Sequence, residues 1–591
     1  MRTVTRILIA GTLVVILTPM LAAQTIPTPI TTSWQYNPAL PGAWFDANNW
    51  SLGLPTATLA AQIANGGIAV LDDPLKDAAA ASLKVGTSYV GGGTLLQRRG
   101  SLAITGDISL GAPDYMLYQP VQPLYMMPTP LGVRGRYDLY DGSVKANAIS
   151  LSSSYGYYPI YSATDVNATG APSTYVMPGP GSLMQQFGGA VNLSSLDING
   201  GTLGGPIPMA GTTTAYPIPA FGSTYNLIGG ALNTGWVDIT AAGGSASLFQ
   251  CGGTLSAPNG IDVLSAGGAA TYRLAAGTVT TPMLDVGWGA VPLVTPAYGA
   301  AMPIFMPRAM FSMGGASANF SVTRSLSFDA GAAYSALWGS KIQMAGASLA
   351  NQSTDPLSLG GLGQTSFVFT SGPQANPGIN WQTFEVAGKD LGLTRQGFVG
   401  NFVTDSLQIG SDKGAGDVKL VDTFHNEGDA NQKEALYVRK LVVGPGSELD
   451  LNGLDLYCLY ASVDPTATIL NGKILGGTDI GPITPPPQPP PGPLPPICIA
   501  PPLWGRNGDF NMDGVVDGVD FLTWQTNYKT GSGLSVAQGD ADGDGVVDGV
   551  DFLIWQSNYR PGGTLAVPEP TALVLLGLGA LAALRRSRRR D

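Results

Sequence analysis

YNLIGGALNTGWVDIT (225–240), LFQCGGTLSAPNGIDVLS (248–265) and YRLAAGTVTTPMLDVG (272–287) are three successive versions of one pattern. Each opens with apolar residues, turns at a glycine, continues as a short alternating strand and closes on an apolar–polar–apolar triplet. The turn glycines Gly230, Gly253 and Gly277 lie 23 and 24 residues apart. The pattern runs back through LQRRGSLAITGDISLG (96–111), YDLYDGSVKANAISLS (137–152) and MQQFGGAVNLSSLDIN (184–199). There Gly100, Gly142, Gly189 and Gly230 are 42, 47 and 41 apart. A period in the low twenties built from short strands predicts a β-solenoid, whose coils bury their apolar face only by stacking.

These coils resemble the right-handed parallel β-helix and the strand repeats of bacterial passenger-type surface proteins; an array of β-sandwiches is the alternative. The longer spacings carry information of their own. Connections 240–247 and 264–271 are eight residues long, whereas 111–136, 152–183, 199–224 and 287–309 are swollen, always at the same phase of the repeat. The swollen ones are rich in Tyr, Pro and Met: Tyr115, Tyr118 and Tyr125 in the first, Tyr155, Tyr157, Tyr158, Tyr161 and Tyr175 in the second, Tyr216 in the third, Tyr298 in the fourth. Same-phase insertions in a solenoid emerge along one edge, so they form a candidate binding fringe of aromatic side chains. The plainer reading is Pro-rich loops with incidental tyrosines.

The solenoid is expected over 91–380, behind an N-terminal cap at 24–90 that holds Trp34, Trp44 and Trp50. Runs 436–443 and 449–457 argue half-buried strands in a C-terminal β block, 381–477. The segment 478–503 contains GPITPPPQPPPGPLPP and predicts an extended polyproline spacer.

A second, closer repeat follows. DFNMDGVVDGVDFLTWQTNY (509–528) and DADGDGVVDGVDFLIWQSNY (540–559) agree at 15 of 20 positions, at an offset of 31. Each places oxygen ligands at loop positions 1, 3, 5, 9 and 12 around a glycine at 6. In the first copy these are Asp509, Asn511, Asp513, Asp517 and Asp520, with Val515 offering a backbone carbonyl at position 7. In the second they are Asp540, Asp542, Asp544, Asp548 and Asp551, with Val546. A loop of alternating carboxylates that turns sharply at glycine suits Ca²⁺, which takes six to eight hard oxygens. Two calcium sites are expected, each opening a helix that carries Phe521, Trp524 and Tyr528 or their counterparts; a pair of Asp/Gly turns joining strands is the alternative.

Such a duplicated loop–helix resembles the dockerin module, which implies a small all-α calcium-binding unit at 504–562 and a cohesin-like or other surface-protein partner. The partner-reading positions 10 and 11 depart from the common Ser-Thr: they are Gly518-Val519 and Gly549-Val550.

Both termini carry addresses. Residues 1–23 combine Arg2 and Arg6 with an apolar run and the small pair Ala22-Ala23, a secretory signal too short for a membrane span. At the other end, Val567-Pro568-Glu569-Pro570 precedes fourteen uncharged residues and the cluster RRSRRR (585–590). Arginines hold that end in the cytoplasm by the positive-inside rule. The order, over 566–591, resembles the PEP-CTERM sorting signal. That resemblance implies a short transmembrane segment, a membrane sorting enzyme that recognises Pro568, Glu569 and Pro570, and delivery to the cell surface or extracellular matrix. A plain tail anchor is the alternative.

Composition excludes other classes. Charged residues are 12%, against about 25% in a typical soluble domain. Formal charge is −11; without the two arginines of 1–23 and the five arginines and one aspartate of 571–591 the balance is 22 basic to 39 acidic, or −17. Nucleic acid is therefore not an expected partner. Three widely spaced cysteines, Cys251, Cys458 and Cys498, imply no disulfide framework. The single histidine, His425, reads as a surface residue, and no GxSxG, HExxH or phosphate-loop motif is present.

Asp197, Asp238, Asp262 and Asp285 recur at one phase, in the closing triplets. They read as a stacked acidic ladder, a solubility device or the paired acids of a sugar-cleaving β-helix. No residue is assigned a catalytic role. The expectation is a mainly β, exported structural or adhesive surface protein. The alternative is a polysaccharide lyase or glycoside hydrolase assembled through its calcium module.

Overall fold

The closing triplets LDI, VDI, IDV and LDV alternate in polarity, so a strand must turn their flanking residues to one side and their aspartates to the other. In the computed structural model Leu196, Ile198, Val237, Ile239, Ile261, Val263, Leu284 and Val286 are all fully buried. They also stack: Leu196 is the Cα partner of Val237, Val237 of Ile261 and Ile261 of Leu284, every pairing parallel. Each strand thus pairs with the equivalent strand of the next coil, one full circuit later in the chain.

Two units are distinguished, 1–486 and 487–591. Described in the first are residues 30–36, 41–86, 92–111, 135–152, 155–159, 174–178, 181–200, 222–241, 245–266, 268–288, 309–371, 381–426 and 433–476. Described in the second are 508, 510, 516, 518–530, 538–541 and 547–559. The first unit is mainly β. Thirty-four strands join into one hydrogen-bonded network, and its ladders are parallel apart from the short contact of Gly388–Lys389 with Glu434 and Ala435. A large parallel sheet with no α-helix between its described strands, only short 3-10 turns such as Gly360–Gln364, is consistent with a β-solenoid.

The boundaries expected at 90 and 380 fall inside this ladder. Thr31–Ser33 pairs with Ala60–Ile63, that strand with Leu83–Val85, and that one with Ile108–Leu110. At the far end Thr365–Thr370 leads through Thr404–Ile409, Glu434–Val443 and Asp455–Val463 to Ile474–Gly476. The expected cap and the expected terminal block are therefore further coils. Alternating polarity had marked both segments as β; it does not say where one sheet ends. What distinguishes the first coils is a filling of three indoles. Trp34, Trp44 and Trp50 are buried, with Trp50 edge-on to the other two at 5.0 and 4.9 Å.

Two side-chain devices hold the turn in register. Gly230 has φ +77°, and a Cβ there would meet the Gly189 carbonyl oxygen at 2.3 Å. Only glycine accepts both that conformation and that approach.

Three residues before the turn glycine stands a buried glutamine in every second coil: Gln97, Gln186 and Gln250. Five residues before it in the intervening coils stands a buried tyrosine: Tyr137, Tyr225 and Tyr272. The Gln186 amide donates to the carbonyls of Gly189 (3.3 Å) and Ala231 (3.0 Å), and Tyr225 Oη donates to Gln186 Oε1 at 2.7 Å. Gln250 and Tyr272 repeat this at 2.9 Å, and Gln97 and Tyr137 form the same pair. The structural repeat is therefore two coils, each pair locked by a satisfied buried hydrogen bond.

Candidate functional site

Three places answer to the expectations drawn from the chain: the corner where the inserts leave the solenoid, the acidic ladder, and the duplicated loops of the second unit.

At the corner, the strands before the inserts stack through Leu110, Leu151, Ile198, Ile239, Val263 and Val286. The strands after them stack through Tyr137, Met184, Tyr225, Leu248, Tyr272 and Phe311. Every connection between these two columns, short or swollen, spans the same corner. Of the swollen ones, the second contains an antiparallel hairpin of Tyr155–Pro159 with Thr174–Pro178. The tyrosines 115, 118, 125, 161, 216 and 298 lie outside the described residues. Tyr155, Tyr157, Tyr158 and Tyr175 fall on the hairpin, whose backbone alone is described.

The four aspartates form one column. Asp197 pairs with Asp238, Asp238 with Asp262 and Asp262 with Asp285, one per strand, about 4.8 Å apart as adjacent strands are. Ser150 and Ser195 each donate to Asp197 Oδ2 at 3.4 Å. Burial, then the charges of Asp262 and Asp197, push the Asp238 carboxyl up to about 6. Burial, then Asp329, push Asp285 up to about 6 against the opposing pull of Arg324. Like charges stacked at strand spacing favour sharing protons over full ionisation. The column stands on a sheet face, next to a half-buried stripe of Trp236 and Met283; the indole of Trp236 and the Met283 side chain close over Gly260, which has no room for a Cβ.

His425 is exposed. The segment that carries it is pinned by Glu385 Oε1, which accepts from the Thr423 and Phe424 amides at 2.5 and 2.7 Å, and by Asn426, which donates to the carbonyls of Asn351 and Ser353. Cys251 is disulfide-bonded, a bond that wide, odd spacing did not imply; Cys458 is a buried free thiol.

In the second unit, helices α1 (Gly518–Asn527) and α2 (Gly549–Asn558) begin two residues before Asp520 and Asp551. They pack through Phe521 on Trp555 (5.1 Å) and Trp524 on Phe552 (5.0 Å). Each helix also buttresses the other copy's loop. Trp524 Nε1 donates to the Asp548 carbonyl at 2.7 Å, Gly539 sits against Trp524, and Gly508 against Trp555. Asp520, Asp540 and Asp551 are buried. The Asp551 carboxylate accepts from the Ala541 amide at 2.6 Å and the Asp548 amide at 2.7 Å. Asp509, Asn511, Asp513, Val515, Asp517, Asp542, Asp544 and Val546 lie outside the described residues. Among the described ones no three His, Cys, Asp or Glu side chains group as metal ligands.

Pro568, Glu569 and Pro570 lie outside the described residues, as does the expected membrane segment; no helix among the described residues is long and apolar enough to cross a membrane. The buried Gln97, Gln186 and Gln250 and their tyrosine partners were not singled out from the chain, although glutamine at turn minus three and tyrosine at turn minus five alternate visibly in it.

No curated protein and no solved structure matches the chain. Residues 566–590 match the model of the PEP-CTERM protein-sorting motif. The C-terminus is accordingly a sorting tail, and the chain is an exported bacterial protein associated with the cell surface through it.

Proposed function

We propose that this protein is a structural or adhesive element of the cell surface or extracellular matrix, with a solenoid body that presents an aromatic fringe. The observation that carries the reading is the common corner. The strands that flank the inserts are in register, so the Tyr/Pro/Met-rich segments start and finish within one narrow strip along the coil axis. Aromatic side chains gathered there stack on sugar faces or pack against a neighbouring copy. The competing reading is a polysaccharide-cleaving enzyme, for which the stacked aspartates are the candidate acids. Reducing-sugar release from a panel of plant and algal polysaccharides decides between them: the adhesive reading expects none, and sustained release would overturn it.

Residues 504–562 form, in this proposal, a dockerin-like module that binds two Ca²⁺. The donor chemistry supports it: Asp520, Asp540 and Asp551 are buried carboxylates. Both oxygens of Asp551 accept backbone amides, from Ala541 and Asp548, and carboxylate oxygens are the hard donors that Ca²⁺ takes. When bound, the ion supplies the charge balance that inward-facing carboxylates need, and the module offers a cohesin-like or other surface partner a calcium-dependent grip. The tail, in the same proposal, is processed by a membrane sorting enzyme.

A further inference from the structure

The first coils contain an irregularity that the solenoid does not require. Where Gly93–Ile104 passes from Arg99 to Ser101 with one residue between, the neighbouring strand Ile68–Ala80 passes from Asp72 to Asp77 with four. The extra residues, 73–76, leave the ladder as an excursion. It is held in shape by Asp73, which accepts the Leu75 amide at 3.0 Å and pairs with Lys76 at 3.1 Å. Leu75 at its tip is 94% exposed. Bulges of this kind re-aim side chains beside functional sites.

Beneath the excursion is a cavity of about 310 Å³, at the small end of ligand pockets, which run from roughly 300 to 1,000 Å³. Trp44, Phe45, Leu54 and Pro55 give it apolar walls, and Lys76 and Asp77 a polar lip. The Lys76 ammonium stands 5.3 Å from the centre of the Phe45 ring, and Asp77 is oriented by the hydroxyl of Ser101. The lip carries one charge of each sign, Lys76 and Asp77, with Asp73, outside the lining, paired to Lys76. An anion meets the carboxylate there, and a cation meets the ammonium. The arrangement favours an uncharged body with an apolar face for Phe45 and Pro55, and hydroxyls for both the carboxylate and the ammonium.

We propose that this cavity is a binding subsite for a neutral pyranose unit of a polysaccharide, distinct from the insert fringe. None of its named walls belongs to an insert, so the two readings fail separately.

The test is saturation-transfer NMR and titration of the purified mature chain with maltotriose, cellotriose and mannotriose. At least one should bind. Phe45→Ala should weaken that binding tenfold or more, as should Ala79→Leu, which fills the cavity from a half-buried wall position. The chain with its inserts shortened should bind like the parent. Loss of binding in either variant that keeps the parent's circular dichroism spectrum supports the subsite. Absence of binding by all three sugars, or unchanged binding in both variants, overturns it.

Discussion

Mild acidification should stabilise the solenoid, because its aspartate column is held against its own charge. The carboxyls of Asp238 and Asp285 are pushed up to about 6, burial being the larger cause in both and neighbouring carboxylates the next. A folded pKa above the unfolded value means that the folded chain binds the proton more tightly. The destabilisation is thus fully present above about 6 and is relieved as pH falls through 6 toward the ordinary carboxylate value.

Between pH 7 and 5 each group contributes about 1.3 kcal/mol, and screening of half-buried carboxylates reduces the pair to about 1–2 kcal/mol. With about 2.1 cal/mol/K of unfolding entropy per residue over roughly 450 residues, that is a rise of about 1–2 °C if the coils melt together. Melting in smaller blocks gives more. The lowered carboxyls, Asp73, Asp450 and Asp464, oppose this only below the ordinary carboxylate value, outside the window. The assay is thermal melting by circular dichroism at pH 5, 6 and 7, with the parent beside Asp238→Asn. The variant should melt higher than the parent at pH 7 and show a flatter pH profile. A parent that melts lower at pH 5 than at pH 7, or an Asp238→Asn chain that loses stability at pH 7, would refute the reasoning.

Other expectations concern single parts. Gly230→Ala, forced to positive φ with its methyl 2.3 Å from the Gly189 carbonyl, should cost about 1–2 kcal/mol from conformation alone and more from the clash; chemical denaturation measures it, and an unchanged midpoint contradicts it. Asp513→Ala with Asp544→Ala should abolish calcium uptake and calcium-induced helix by residues 504–562; calorimetry showing the same uptake in the variant would sink the two-site proposal. Mass spectrometry of surface-extracted protein should find a C-terminus near residues 568–571, and recovery of an intact 585–591 would argue for a lasting anchor.

Much of the architecture was legible because a strand's period of two makes burial readable: LDI, VDI, IDV and LDV predicted the buried column, and left their aspartates open between a stacked ladder, a solubility device and paired acids. Glycine spacing predicted the turns. What stayed hidden was of two kinds. The extent of the ladder was hidden because a coil with an irregular turn, such as those before residue 90 and after 380, keeps its pairing while losing its periodic signature. The glutamine–tyrosine lock was hidden because a buried polar residue looks, in one dimension, like a surface one. Its partner stands 22 to 40 residues away. The excursion at 73–76 was unreadable for the same reason, since an extra residue is extra only against a neighbouring strand.

The measurement that bears most directly on the account is surface retention of a chain in which 111–136, 152–183, 199–224 and 287–309 are each cut to eight residues. Connections 240–247 and 264–271 already close the same corner at that length, so the shortened chain should keep its parallel ladders and its circular dichroism spectrum. Its retention on cells and matrix under washing should fall well below the parent's. A folded, shortened chain retained as firmly as the parent would contradict the claim that the inserts are the contact surface.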